Sequence, residues 1–152
     1  MREARIMGPA KRGQALVEFA LILPVIVLVV MGFVDLGRGV VFFNMLSNTA
    51  REGARVGIAP GNTLSQMCTQ VISQMPAPGV GSSSGCSSIA DSTAKTFGTL
   101  TMTIHRGTAG SASDFDSVTL SYGFTPVTPL IIAVIGTATK QLTATASMYV
   151  EQ

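Results

Sequence analysis

The sequence predicts an α+β protein in which one long N-terminal helix, transmembrane in its first half and extended outward in its second, carries a small C-terminal antiparallel β-sheet. Three observations predict it. An uncharged apolar run occupies Phe19 to Val34, apolar residues continue beyond it at spacings of three and four, and the last third of the chain alternates apolar with hydroxyl-bearing residues. The 152 residues suit about one domain, which argues against a multi-domain enzyme. Only 12% of them are charged against 47% hydrophobic, whereas globular chains average about 25% charged. That apolar excess is more than one small core hides, and it points to a lipid bilayer. The formal charge of +2 is too small and too unclustered for a nucleic-acid surface.

The head of the chain is basic: residues 1 to 12 hold Arg2, Arg5, Lys11 and Arg12 against Glu3 alone. The run FALILPVIVLVVMGFV is 16 residues long between Glu18 and Asp35, and the uncharged GQALV before Glu18 extends it. A span needs ~20 mostly apolar residues, so the membrane helix is expected at 14–35 behind a leader at 1–13. By the positive-inside rule the N-terminus is expected to be cytoplasmic and the C-terminal portion on the far side, which in a bacterium, with the span in the inner membrane, is the periplasm or beyond. A cleaved secretory signal would have a shorter apolar core and then a small-residue site in extended chain. Instead, Val41, Phe42, Met45, Leu46, Ala50, Gly53, Ala54 and Gly57 keep a helical spacing, so the helix is expected to extend over 36–58 and the span to be retained. Asp35 and Arg38, three residues apart at the exit, read as an interface marker joined by a weak surface ion pair. Glu18 is different, because an ionisable group beside a span is costly and signals function. Its alternatives are snorkelling to the cytoplasmic face or pairing with Arg12. Pro24 deprives the Ala20 carbonyl of its helical donor, which membrane helices tolerate as a kink or use in assembly.

Lys11, Arg12, Gly13, Gln14, Ala15, Leu16, Val17, Glu18 and Phe19 read KRG-QALVEF, followed at once by the apolar run. This resembles the processing site of type IV prepilins, and RGQALVEFALILPVIVLVVMGFVDLGR resembles the TadE-like minor pilins, or pseudopilins, of the tight adherence (Flp pilus) system. The likeness continues in AREGAR at 50–55 and reappears in VTLSYGFTPVTPLIIAVIG and LTATASMYVEQ. It implies a pilin-like fold and a membrane-embedded prepilin peptidase that cuts between Gly13 and Gln14, with Lys11 and Arg12 as leader charge. It also implies assembly roles for Glu18 and Phe19. The partners it implies are other Tad/Flp pilins, inner-membrane assembly proteins and the lipid bilayer, with no cofactor and no nucleic acid. The chemistry is consistent with this. Gly13 offers an unhindered backbone to the peptidase, and the amine freed on Gln14 is a cation that Glu18, on the same or a neighbouring subunit, can neutralise, setting register more than adding stability. Major Flp pilins resemble a shorter pattern with Tyr after the glutamate. Phe19 and a long body favour a minor component.

The extended helix should stop between Gly57 and Gly61, where GIAPGN supplies glycines and a proline. Arg51, Glu52 and Arg55 then form a solvated last turn, with a partner-binding face as the lesser reading. Within 59–98, Asn62 or Thr63 caps a short helix to about Gln74 with Leu64, Met67, Cys68, Val71 and Ile72 on one side, and PAPGVGSSSG at 76–85 is loop. Cys68 and Cys86 flank that loop outside the cytoplasm, where a disulfide is the default, closing about 18 residues for ~3 kcal/mol. Over 99–152, three strands alternate around Leu100, Met102 and Ile104; Val118, Leu120, Tyr122 and Phe124; and Leu142, Ala144, Ala146, Met148 and Val150. Between the last two, the apolar segment from around Pro129 to Gly136 is too short to span and reads as a buried short helix or a subunit contact.

No catalytic or metal motif emerges. His105 falls among threonines on a polar face, Asp114 and Asp116 read as turn residues without EF-hand offsets, and one histidine with two cysteines is too little for a metal site. The chain reads as a substrate of enzymes rather than an enzyme. Two accounts of function follow: a processed minor pilin serving Flp/Tad pilus assembly and surface adherence, or an unprocessed single-span envelope protein whose Thr- and Ser-rich sheet binds a ligand or partner. In the second account Glu18→Ala is nearly neutral.

Overall fold

The computed structural model describes residues 10–107, 115–128, 131–133, 136 and 138–149, with side chains from Gly13 onward. Its elements in chain order are α1 (Ala10–Gly57), α2 (Leu64–Gln74), a 3₁₀ helix (Ser83–Ser88), β1 (Lys95–Phe97), β2 (Leu100–His105), β3 (Phe115–Phe124) and β4 (Lys140–Tyr149). Helix α1 has 48 residues, about 72 Å at 1.5 Å per residue, and passes through Pro24 unbroken. Its two halves differ in what they touch. The large apolar side chains from Leu16 to Val34 are all exposed, whereas from Leu46 onward one stripe of Leu46, Ala50, Gly53, Ala54 and Gly57 is buried. The stripe is made of small residues because it is approached closely from two sides. A Cβ on Gly53 would lie 2.6 Å from Val71 Cγ2 and 3.4 Å from Val118 Cγ2, so only glycine lets α2 and β3 close on the helix there. The helix stops at Gly57, where Asn62 Nδ2 donates to the Val56 carbonyl at 2.7 Å and Gly61 takes the left-handed φ of 83° in the turn.

Thr63 caps α2 rather than Asn62. Its hydroxyl accepts from the Gln66 backbone N–H, and the Gln66 side chain accepts in return from the Thr63 N–H at 2.7 Å, a capping box. Met67, Cys68 and Val71 are buried, while Leu64 and Ile72 are half-buried packing partners. The 76–85 segment is less purely loop than its composition suggests. Val80 bridges to Gly98, the serines turn into the 3₁₀ helix, and β1, only three residues long and too short to show alternation, precedes the anticipated strands.

The sheet is an antiparallel meander in the order β1-β2-β3-β4. Met102 pairs with Leu120, and Leu120 with Ala144, so the apolar face is continuous across the strands and packs on α1 and α2. The opposite face is tied by hydroxyls, as between Thr119 and Thr145 at 3.0 Å and Thr96 and Thr101 at 3.2 Å. Strand β3 runs antiparallel to the outer half of α1. Phe124 and Tyr122 lie against Phe42, with ring centroids 5.9 and 5.3 Å apart, and Val118 lies by Gly53. The sheet therefore stands alongside the helix extension, with the β3–β4 connection at the end nearer the apolar span.

Two expectations need correcting here. Asp116 is not a turn residue: β3 starts at Phe115, and the inward alternation buries the Asp116 carboxylate, whose Oδ1 accepts from the Gly107 N–H at 2.8 Å and whose Oδ2 has no hydrogen-bond partner among the described residues. The segment before β4 does form a helical turn at 131–133, with the Thr128 carbonyl accepting from Ile131 and Ile132, yet Ile131 and Ile132 are half-buried and Ala133 is exposed, so it is not a core helix. Asp114, Pro129 and Val150 lie outside the described residues.

Gly53→Val tests the close approach. The added methyls have no room between Val71 and Val118, so the variant should lose about 1 to 3 kcal/mol of stability in chemical denaturation of the full chain in detergent. Wild-type stability would contradict this packing.

Candidate functional site

At the N-terminal end of α1, Gly13, Gln14, Glu18 and Phe19 are all exposed. Gln14 Nε2 donates to Glu18 Oε1 at 3.1 Å, one helical turn away, so the structure brings these two together. A Cβ at Gly13 would meet nothing within 4 Å. Phe19 is 59% exposed, like the large apolar side chains of the run that follows it. The side chains of Lys11 and Arg12 lie outside the described residues.

The second cluster lies where α1 leaves that run. Asp35, expected at the surface, is only 3% exposed. Its carboxylate accepts from the Val127 N–H at 3.0 and 3.1 Å, from the Thr128 N–H at 2.7 Å and from Arg38 Nη1 at 3.2 Å. A buried charge is tolerated when donors surround it, and two backbone amides with one guanidinium supply them. The Arg38 guanidinium also lies 5.5 Å from the centre of the Phe124 ring. Asp35 thus clamps the β3–β4 connection to the helix. The sequence shows the i, i+3 pair but not the clamp, because backbone amides more than ninety residues away carry no side-chain signature; the one signal is an acid that fails to end an apolar helix.

Beside the clamp, Leu36, Gly39, Val40 and Phe43 of α1 and Phe124, Pro126, Ile131 and Leu142 of the body bound an apolar groove of about 310 Å³ with Lys140 at its rim. A wider cleft of mixed polarity, about 600 Å³, is lined by Val41 and Met45 together with Asn44, Asn48, Thr49, Glu52 and Gln74. In the REGAR stretch, Arg51 and Arg55 are exposed, and Arg55 donates to both Glu52 oxygens at 3.0 and 2.8 Å. That hydrogen bonding, and secondarily the positive charge, holds the Glu52 carboxyl below its usual range against desolvation. The stretch is only half a solvated turn, since Gly53 and Ala54 between these charges are core.

Cys68 and Cys86 are joined by a disulfide with Cα atoms 5.6 Å apart, fastening α2 to the 3₁₀ helix. His105 is half-buried rather than free. Its Nδ1 lies 2.8 Å from Ser92 Oγ and 3.7 Å from Asp91 Oδ2. Both partners share one ring nitrogen, so the acid does not orient a base toward the serine as nucleophilic catalysis requires. The group closes the outer end of the body instead: Asp91 accepts from the Arg106 N–H at 2.6 Å, and the Arg106 guanidinium donates to the Asn62 carbonyl.

Among the described residues one apolar helix is long enough to cross a bilayer and continues as the platform of a four-stranded meander, an arrangement that fits a single-pass membrane protein with an α+β body. The family model described as TadE-like protein matches residues 13–55, which is the span and nearly all of its extension. Over that helix the chain is similar to TadE-like proteins. No curated protein and no solved structure matches the chain.

Two measurements probe the clamp and the staple. Asp35→Ala should speed tryptic cleavage after the exposed Lys140 by roughly tenfold, because the connection before it loses its acceptor; an unchanged rate would contradict the clamp. Replacing Cys68 and Cys86 together with serine should lower stability by about 3 kcal/mol in denaturant titration without reductant.

Proposed function

We propose that the chain is a prepilin-like minor pilin of a Tad (Flp) pilus, cut between Gly13 and Gln14 by a prepilin peptidase on the cytoplasmic side of the bacterial inner membrane. The observation that carries this reading is Glu18, placed five residues after Gly13 at the foot of a bare apolar helix within the TadE-like segment. Before the cut, the Gln14 side chain occupies Glu18. Afterwards the new Gln14 amine is a cation one turn from the same carboxylate, and in a bundle of such helices the pair satisfies a charge that lipid would otherwise penalise. Register follows, because only one axial stagger lets an amine reach a neighbour's Glu18. The outer body lies in the periplasm, where the Cys68–Cys86 bridge is chemically at home. Its service to adherence is to project from the assembled pilus machinery on a continuous helix.

Intact mass and N-terminal sequencing of the protein from native membranes test the reading. The expected chain begins at Gln14, and Gly13→Val keeps the leader. Glu18→Ala should be cut normally yet lower surface piliation by roughly tenfold. A chain that retains residues 1–13 in cells with an active prepilin peptidase would contradict the proposal and favour an unprocessed envelope protein that binds through its outer body.

A further inference from the structure

We infer that the apolar groove beside Asp35 is a lipid seat, in which an acyl chain of an outer-leaflet phospholipid lies between α1 and the β3–β4 connection while Arg38 and Lys140 meet its phosphate. Depth is the first argument. Asp35 follows directly on the uncharged run, and its carboxylate bonds the Val127 and Thr128 amides at about 3 Å, so the connection is pinned at the level where α1 leaves the hydrocarbon. Val127 is nonetheless 63% exposed there. Continuity is the second. Leu36, Val40 and Phe43, the helical wall of the groove, are exposed at i, i+4 and i+7 and prolong the bare surface of the span. From Leu16 to Phe43 that bare stretch measures about 40 Å against a hydrocarbon thickness of about 30 Å, and the surplus of about 10 Å coincides with the groove. A surplus of this kind is met by tilting of the helix or by local thickening of the bilayer, and thickening brings acyl chains to the level of the groove. Charge is the third. Among the described residues that line the groove the single carboxylate, Asp35, is buried and satisfied and Lys140 is exposed, while Arg38, bonded to Asp35 beside the groove, keeps part of its side chain exposed, which suits an anionic headgroup.

The inference rests on α1 crossing the bilayer and is independent of processing or pilus assembly. Its test exploits the absence of tryptophan from the chain. Full-length single-tryptophan variants are reconstituted in vesicles of phosphatidylcholine or phosphatidylglycerol brominated on the acyl chain: Phe33→Trp in the span, Val40→Trp in the groove, Val127→Trp on the connection and Tyr149→Trp at the far end of β4. Lipid in the groove predicts that the first three are quenched roughly twofold and Tyr149→Trp is not, with phosphatidylglycerol the stronger quencher at Val40→Trp and Lys140→Glu abolishing that excess. Quenching of Phe33→Trp without Val40→Trp and Val127→Trp overturns the lipid seat and leaves the span intact. Loss of Val40→Trp quenching as protein-to-lipid ratio rises overturns it in favour of a second copy of this chain. An unquenched Phe33→Trp overturns the span itself, and equal quenching by the two lipids overturns the headgroup contact.

Discussion

A single unbroken helix has to satisfy two different surroundings, and the rest of the molecule is arranged around that requirement. For its first half, α1 presents large aliphatic side chains on every side, which suits a hydrocarbon solvent that rewards bulk and penalises any open backbone group. For its second half the same helix must be the wall of a core about two elements wide, so the side chains facing inward shrink to alanine and glycine and the sheet comes in close. Because no break separates the halves, any rotation of the outer body is a rotation of the anchor. A span and a domain joined by a flexible linker would not share orientation in this way.

Asp35 stands at the change of surroundings and explains why the change is clean. Without an acceptor there, the Thr128 amide would be buried and unsatisfied and the partly buried Val127 amide would lose its partner. With it, the connection between β3 and β4 closes against the helix, and Arg38 is fixed between the carboxylate and the Phe124 ring. Together with the disulfide and the Asp91–Arg106–Asn62 ties at the opposite end, this gives a small body restraints at both ends of its sheet. Such restraints matter in a small domain, which buries a smaller share of its surface on folding than a large one.

Patterns generated within one element were legible in the sequence. The apolar run, the helical stripe through Leu46 and Ala54, the α2 face and the alternation of β2, β3 and β4 all follow from periodicity, and all are present in the structure. What escaped depends on partners distant in the chain or on segments too short to show a period. β1 has three residues, Asp116 looked like a turn because its neighbours are polar, and the Asp35 clamp uses donors that every residue type except proline possesses. At the N-terminal end the situation is reversed: Gly13, Gln14 and Glu18 stand out in the sequence, while the single chain shows little more than their exposure and one hydrogen bond. Their meaning lies in chemistry done to the chain and in neighbours it assembles with.

The account as a whole requires that helix and outer body move as one unit, and the Asp35 clamp is where that is decided. Amide hydrogen exchange of the full chain in a bilayer measures it at the two residues concerned. Protection of Val127 and Thr128 close to that of the β3 ladder around Leu120 is the predicted result, since their amides are held by a buried carboxylate. Exchange at the rate of the exposed serines at 82–84 would contradict it, and would leave the outer body held to its anchor by the helix extension alone.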